Sequence, residues 1–505
     1  MAGKWPIKGV DPRPGQVEAF QKLTQLLIEH SKVVLSAPTG WGKTLTIIAA
    51  LMATRMFPAL WLVRSLSIGF RIAEDAAKAG LRTIIAAGRN RMCILAKRRD
   101  LADEVCRLKK LNCRFFRGLF ENIVNPLDNR LTVDWMTIRR MGEDMGFCPY
   151  YAQDIFDCDI VVQNYNRRRG RIFRIFVVDE AHNLWLPKEV RIHVSVLDDV
   201  EVMLERYPFT EKYTLEKIRR IKRRALDYGG GVINSAFDEE DLNAMKAALI
   251  YSIENGAPEG LLVELKNFIR LARCKVIYLE GEYLKGIKHF NPFVPSPFIM
   301  ASGTWINELN KLIGDVRVVE VPPVRRPAYV LDWVTSRYGE ETIDEYGRLL
   351  FTLRKYFRKI VVFGADRILR YFKNRCDYYE PEKVEGLEGL ILLRARGRFS
   401  EGVDIPCDCI VMLGCPFMPP EIIGRLESIY RKAGFSNPWM LAAEIPMLIT
   451  TLQCIGRATR TPDAKPLILL ADSRYKRYRN ALSKYLYLEE VNGLDALNRI
   501  LSCMS

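Results

Sequence analysis

A glycine-rich run, Ala37-Pro38-Thr39-Gly40-Trp41-Gly42-Lys43-Thr44, and the paired carboxylates Asp179 and Glu180 carry the most direct chemistry in this 505-residue chain. Backbone N–H groups of a Gly-rich turn converge on phosphate oxygens where a helix begins. Gly40 and Gly42 permit such a turn, with Thr39 inside it. Lys43 reaches the terminal phosphates of a nucleotide and Thr44 can hold Mg²⁺. Asp179 and Glu180 follow the hydrophobic run Phe173 to Val178, which puts both acids at the C-terminal end of a strand. There Asp179 is placed to hold the metal, directly or through water, and Glu180 to orient and deprotonate an attacking water. Loop and acids together predict nucleotide hydrolysis with ATP and Mg²⁺.

Gln453, Arg457 and Arg460 fall three or four apart, so on a helix they share one face. Two arginines there suit a clamp on the γ-phosphate, and an arginine finger contributes roughly 10³ to 10⁵ in rate. A basic helix packed on acids is the competing reading. Gly402 and Asp404, preceded by Ser400-Glu401, are further candidates for lining a nucleotide cleft. Between the loop and the acids stand Cys93, Cys106, Cys113 and Cys148. Four thiolates complete the coordination of a cubane 4Fe–4S cluster, and tetrahedral zinc is the chemical rival. Long, irregular spacings without paired C-x₂-C knuckles count against a zinc ribbon. Cys158 is a substitute ligand or, at the start of an apparent strand, a buried structural thiol.

These groups need strands and helices to hold them. Val33 to Ser36 is a short β-branched run that stops at the Gly-rich turn, and the helix-favouring stretch Leu45 to Met52 follows. Ala59 to Val63, Thr83 to Ala87, Asp159 to Val162 and Phe173 to Val178 supply further strands. Apolar strands alternating with helices predict an α/β fold, a parallel sheet covered on both faces. Residues 89–150 interrupt the alternation with a basic, cysteine-bearing insertion that shows no strand run. A second, charged and helix-like insertion spans 186–290. The first domain is thus assembled from 1–88, 151–185 and 291–320. Val321 to Pro327 looks like a stiff linker. Strand–helix alternation restarts in a second domain, 328–505, through Ile360 to Phe363, Leu390 to Leu393, Cys409 to Leu413 and Leu467 to Ala471.

A formal net charge of +16 favours a polyanionic partner, although ribosome-associated and membrane-surface proteins share that balance. Met1 begins a polar stretch without a signal pattern, and no run of about 18 apolar residues is present, so a cytoplasmic protein without a membrane anchor is expected. Twelve cysteines in that compartment are expected as reduced thiols or metal ligands. Only six Gln appear against abundant Lys, Arg and Glu, a thermophile-like bias.

Taken in order, these residues resemble the XPD/DinG-like family of iron–sulphur superfamily 2 DNA helicases. That group commonly carries Ala at the position of Ala37. Arg13-Pro14-Gly15-Gln16 looks like its N-terminal nucleotide-sensing element, which implicates Gln16 in nucleotide binding. Val177-Val178-Asp179-Glu180-Ala181-His182 is similar to its DEAH box, and Ser302-Gly303-Thr304 to its coupling motif. Phe399 to Asp404 and Gln453 to Arg460 match its two late motifs, and Pro416-Phe417-Met418-Pro419-Pro420 precedes the last of them. The resemblance implies two RecA-like parallel-sheet motor domains, with an Fe–S cluster insertion and a helical arch insertion in the first. It also implies 5′ to 3′ movement on single-stranded DNA, unwinding of forked DNA, repair proteins as further partners, and a monomer. Cys148-Pro149-Tyr150-Tyr151 resembles the fourth-ligand segment and Cys93 stands at the first-ligand place. The six residues between Cys106 and Cys113 depart from the family's shorter spacing, which leaves those two ligands open.

Arg89, Arg91, Lys97, Arg98 and Arg99 around the first cysteine are candidate DNA contacts. Phe115, Phe116 and Tyr150 are candidates for stacking on bases, with core packing as the alternative. The run Arg219, Arg220, Lys222, Arg223 and Arg224 reads as a solvated helix face or as a DNA-channel lining. Rival functions are an ATPase that remodels protein–DNA complexes without separating strands, a DNA-binding scaffold with a decayed motor, and an RNA track.

Overall fold

The computed structural model describes residues 4–503 except 39, 97–98, 122, 129, 168–169, 209–211, 228–230, 234–236, 289–293, 398, 400–403 and 460–463. Short β-branched, wholly apolar runs become strands buried on both faces, as a parallel sheet between helices demands. From edge to edge the first sheet runs Arg317–Glu320, Lys32–Ser36, Phe298–Ser302, Ile175–Val178, Ala59–Val63, Ile160–Asn164, Thr83–Ala86 and Thr132–Asp134. Ala59–Val63 pairs in parallel with Ile175–Val178 on one side and Ile160–Asn164 on the other. Thr83–Ala86 then pairs with Ile160–Asn164. Helix Leu66–Lys78 begins at Ser65, whose hydroxyl accepts from the Ser67 N–H. Gly69 lets it lie close on the sheet, for a Cβ there would stand 3.1 Å from Val162 and 3.2 Å from Ile85.

The first insertion is built of short helices, Arg89–Met92, Ala102–Lys109 and Arg114–Arg117. It then returns to the sheet as Thr132–Asp134, a strand the sequence did not announce because it is only three residues long. Asp134 ends that strand and caps helix Trp135–Met145 by accepting from the Thr137 N–H at 2.8 Å. Helix Pro149–Ile155 follows directly on Cys148.

The second insertion departs from the all-helical expectation. Helices Val196–Glu205, Lys212–Leu226, Glu239–Glu254 and Glu259–Ala272 pack with an antiparallel sheet ordered Lys188–His193, Tyr283–Lys288, Val276–Glu280 and Gly231–Val232. Two of these strands are charged on their outward positions, so their apolar content falls below what marks a strand in sequence. Leu101 joins the hydrophobic core of this second insertion, and Val105 packs against it. Lys266 ties the two insertions by an ion pair to Glu104 at 2.6 Å.

Much of the basic run on helix Lys212–Leu226 is spent inside the insertion. Arg219 pairs with Glu201 at 2.6 Å and Lys222 with the same carboxylate group at 2.9 Å. Lys217, 4% exposed, is held by Asp238 at 2.9 Å and by Asp241, which also accepts from the Thr214 hydroxyl at 2.7 Å. Asp238 and Asp241 form a capping box at the start of helix Glu239–Glu254.

The second sheet is ordered Tyr378–Tyr379, Gly389–Arg394, Lys359–Gly364, Cys409–Leu413, Leu467–Ala471, Arg326–Leu331 and Leu486–Val491, with its strand pairs parallel. Arg326–Leu331 begins inside the stretch read as a linker. Pro327 lies ahead of Tyr329 and Val330, the residues that pair with Leu467–Ala471, so its missing N–H costs no ladder bond on that side. At the end of Leu467–Ala471 the buried Asp472 accepts from the Ser336 N–H and hydroxyl, the Cys415 N–H and the Arg474 guanidinium. Among the described residues no helix is long and apolar enough to cross a membrane. The chain divides into two compact units, the second of which holds the whole of the second sheet.

Asp241→Ala leaves Lys217 buried with Asp238 as its remaining carboxylate. It should destabilise the second insertion by about 3 kcal/mol, whereas Lys217→Met combined with Asp241→Leu should recover most of that loss. Denaturant-dependent hydrogen exchange over 212–254 measures both.

Candidate nucleotide site and cysteine pocket

The phosphate-loop candidate is shaped by two glycines in the left-handed region, Gly40 at φ 82° and Gly42 at φ 108°. Gly42 immediately precedes helix Lys43–Thr54, so Lys43 and Thr44 are its first two residues and their N–H groups have no partner within the helix. Buried Gln16 braces the turn: its Nε2 donates to the Gly42 carbonyl at 3.1 Å and its Oε1 accepts from the Arg13 N–H at 2.7 Å. A Cβ on Gly42 would sit 2.2 Å from that Nε2. The Thr46 hydroxyl donates to the same carbonyl at 3.2 Å.

Asp179 follows Ile175–Val178, and Glu180 takes φ 46°, a left-handed conformation that costs a non-glycine residue about 1–3 kcal/mol. Its surroundings hold it there. The Asn183 side chain donates to the Glu180 carbonyl at 3.0 Å, and buried His182 places Nδ1 3.5 Å from the Glu180 carboxylate. Tyr165 donates its hydroxyl to the Asp179 carbonyl and lies 3.5 Å from that of Glu180. Burial first, and then the Glu180 charge, push the Asp179 carboxyl up to about 7, while Lys43 and Arg71 pull it down. Two crowded carboxylates facing an ammonium form a site whose charge a divalent cation would complete.

In the second unit, Gln453 and Arg457 lie four residues apart on helix Ile445–Ala458, hence on one face, and Gln453 is buried. The Arg457 carbonyl accepts from the Ile405 N–H at 2.9 Å, which fastens the segment carrying exposed Asp404 to that helix. Of the sequence candidates, Gln16, Gly42, Lys43, Thr44, Asp179 and Glu180 gather in the first unit, and Gly40, Asp404, Gln453 and Arg457 are assigned to the second. Thr39, Gly402 and Arg460 lie outside the described residues, as do Lys97, Arg98, Ser400 and Glu401. Tyr165 was missed; its signal was only its place just past an apolar strand.

Cys93, Cys106, Cys113 and Cys148 line one pocket together with Arg89, Phe115, Phe116 and the segment Pro149 to Tyr151. Burial pushes the Cys148 thiol up to about 11, the backbone N–H groups of Tyr151 and Tyr150 oppose it, and the Cys113 and Cys106 charges add to it. Cys106 is likewise raised by burial, lowered by Arg89 and raised by Cys93 and Cys113. Cys106 and Cys148 thus each lie within electrostatic reach of Cys113. Among the described residues, however, no three His, Cys, Asp or Glu side chains are grouped to hold a single metal ion. Cys158 lies buried outside the pocket lining, its thiol pushed up to about 12 by burial.

Arg89 pairs with Asp103 at 2.6 Å and lies 4.3 Å from the Tyr150 ring centre. Arg91 covers Trp135 at 5.0 Å. Phe115 and Tyr150 are buried, so the core reading replaces base stacking for both; Phe120, 80% exposed, went unnoticed because an aromatic residue carries no sign of its exposure in sequence.

A DEAD_2 family model matches residues 69–186 and a helicase C-terminal domain model matches residues 362–488. The ATP-dependent DNA helicase XPD of Sulfolobus acidocaldarius is 23% identical over 92% of this chain and 96% of its own. The XPD subunit of the Dictyostelium discoideum general transcription and DNA repair factor IIH is 28% identical, over 23% of this chain and 15% of its own. Among solved structures, an XPD helicase superposes with a TM-score of 0.68 at 18% identity, covering 95% of this chain and all of that one. S. tokodaii Xpd4 does so with a TM-score of 0.57, also at 18% identity, over 94% of this chain and all of that one.

Gly42→Ala introduces about 1–2 kcal/mol of backbone strain and displaces Gln16. Binding of a fluorescent ATP analogue should weaken roughly tenfold, and unaltered affinity would contradict the brace.

Proposed function

The chain belongs to the XPD family of ATP-dependent DNA helicases, and from that premise we propose that it hydrolyses ATP to move 5′ to 3′ along single-stranded DNA and to part duplex strands at a fork, in DNA repair. One observation carries this reading: the Gly42–Lys43 turn and the Asp179–Glu180 pair belong to one parallel sheet, close enough for Lys43 to lower the Asp179 pKa. The turn's N–H groups and Lys43 would cradle the phosphates, and Thr44 with Asp179 would hold Mg²⁺, which would supply positive charge to offset that of the phosphates. Glu180 orients the attacking water and takes its proton. Thr39, Gly402 and Asp404 contribute to nucleotide binding, and Gln453, Arg457 and Arg460 offset the charge that develops on the γ-phosphate. Gln16 acts from behind the loop by fixing the Gly42 carbonyl.

The four pocket cysteines suit a 4Fe–4S cluster. A cubane spreads its thiolates over four iron atoms, whereas zinc draws them onto one. Cys93, Cys106, Cys113 and Cys148 line one pocket, which brings together the four thiolates that a cubane uses. Cys93, Cys106, Cys113 and Cys148 would hold the cluster, which supplies a rigid covalent knot among the short helices of 89–150. The antiparallel-sheet insertion, 186–290, then serves as the arch beside which the strand threads.

Lys43→Ala should abolish DNA-stimulated ATP hydrolysis with folding intact, and ordinary turnover would refute the assigned site. On forked DNA, strand displacement should require a 5′ tail; displacement from a 3′ tail alone would reverse the polarity, and hydrolysis without displacement would favour a remodelling translocase. Anaerobically purified protein should be brown, and Cys148→Ser should bleach it and impair unwinding more than hydrolysis. A colourless, zinc-loaded wild type would sink the cluster.

A further inference from the structure

One residue separates the tyrosine that grips the acidic strand end from an arginine buried against the helix that lines the cysteine pocket. Tyr165 donates to the Asp179 carbonyl. The Arg167 side chain, 2% exposed, donates from Nη2 to Asp154 at 2.8 Å, from Nη1 to Gln163 at 2.6 Å and from Nε to the Ala87 carbonyl at 3.2 Å. Its guanidinium lies 5.3 Å from the Tyr150 ring centre. Asp154 and Tyr150 both belong to helix Pro149–Ile155, which starts at Cys148 and lines the pocket with its first residues. Gln153 fastens the same helix to the sheet, accepting from the Ala87 N–H at 2.7 Å and donating to the Ala87 carbonyl at 3.3 Å.

The stretch between the two side chains is a compact hydrogen-bonded turn. The Asn164 side chain donates to the Arg64 carbonyl at 2.5 Å and accepts from the Asn166 N–H at 3.0 Å, and the Arg167 N–H donates to the Asn164 carbonyl at 3.0 Å. Such a turn moves as a unit. Buried charged groups with their partners in place resist independent reorientation, because water cannot substitute for a broken contact.

We propose that the turn Asn164–Arg167 couples nucleotide state at Asp179–Glu180 to the position of helix Pro149–Ile155, with Arg167 as the positioning residue that ties the cysteine pocket to the motor sheet. The proposal rests on the helicase function given above. A shift of the Asp179 and Glu180 backbone on nucleotide binding acts on Tyr165 directly, passes through two peptide units, and reaches Asp154 through the guanidinium. In sequence Arg167 opens a run of three arginines and looks like a solvated basic patch; its burial gives it this different role.

Amide hydrogen exchange of the full chain, with and without Mg²⁺ and a slowly hydrolysed ATP analogue, tests the coupling. In the wild type, exchange of the 150–155 amides should change by about fivefold or more on nucleotide binding, as coupled sites typically do. Arg167→Met combined with Asp154→Asn removes both charges, so neither is stranded. It should erase this response and lower strand displacement per ATP by a similar factor while retaining DNA-stimulated hydrolysis and the cysteine-pocket colour. A merely structural role would alter basal exchange but not its nucleotide-dependent part. An unresponsive wild-type helix, or a response surviving in the double variant, overturns the proposal. Should that variant fail to fold, Tyr165→Phe must abolish the response instead, and a response retained there overturns it equally. A protein that shows the response yet never separates strands sinks the helicase function and leaves the coupling standing.

Discussion

Parallel pairing of Ala59–Val63 with Ile160–Asn164 on one flank and Ile175–Val178 on the other is the constraint on which the site depends. Parallel strands all end at one edge, so this pairing sets Asn164 and Asp179 on either side of Val63, and Thr83–Ala86 brings Ala87 to the same edge beside Ile160–Asn164. The buried, apolar character of these strands supplies the driving force, since each residue loses water on both faces. The polar chemistry is confined to where the strands stop.

At that edge, the backbone departs from ordinary geometry in places that neighbouring side chains hold. Gly42 can turn at φ 108° because it lacks a Cβ, and the space a Cβ would take is filled by Gln16. Glu180 has no such exemption. Its left-handed conformation persists under bonds from Asn183 and Tyr165 and beside His182. A carboxylate held in this way is already oriented, so in the proposed hydrolysis its action on water would need little reorganisation.

The second insertion closes on a large hydrophobic core and satisfies its charge internally, with Lys217, Arg219 and Lys222 paired to acids of neighbouring helices. The first leans on three supports besides its buried apolar side chains: the shared cysteine pocket, the Arg167–Asp154 pair under helix Pro149–Ile155, and the contact of Leu101 and Val105 with the second insertion. A segment this small and basic needs such staples to stay ordered.

Motifs of the nucleotide site were legible in the chain because their chemistry is local. A glycine-rich turn before an apolar helix and two acids after an apolar strand declare themselves within a few residues, and the apolar strands declare the parallel sheets. Local reading failed where an element is short, charged or proline-bearing: Thr132–Asp134, the charged strands of the second insertion, and Arg326–Leu331. It also failed wherever burial changes a residue's meaning. Arg167 in a basic run, Lys217 on a basic helix and Tyr150 beside a cysteine are indistinguishable in sequence from solvated neighbours. By itself the sequence determined the nucleotide chemistry and the α/β class, since both follow from residue type and short spacing. Only the tertiary structure decided which charges are buried, which thiols face one pocket, and that Tyr165 and Arg167 stand between the two sites, because those depend on contacts between segments far apart in the chain.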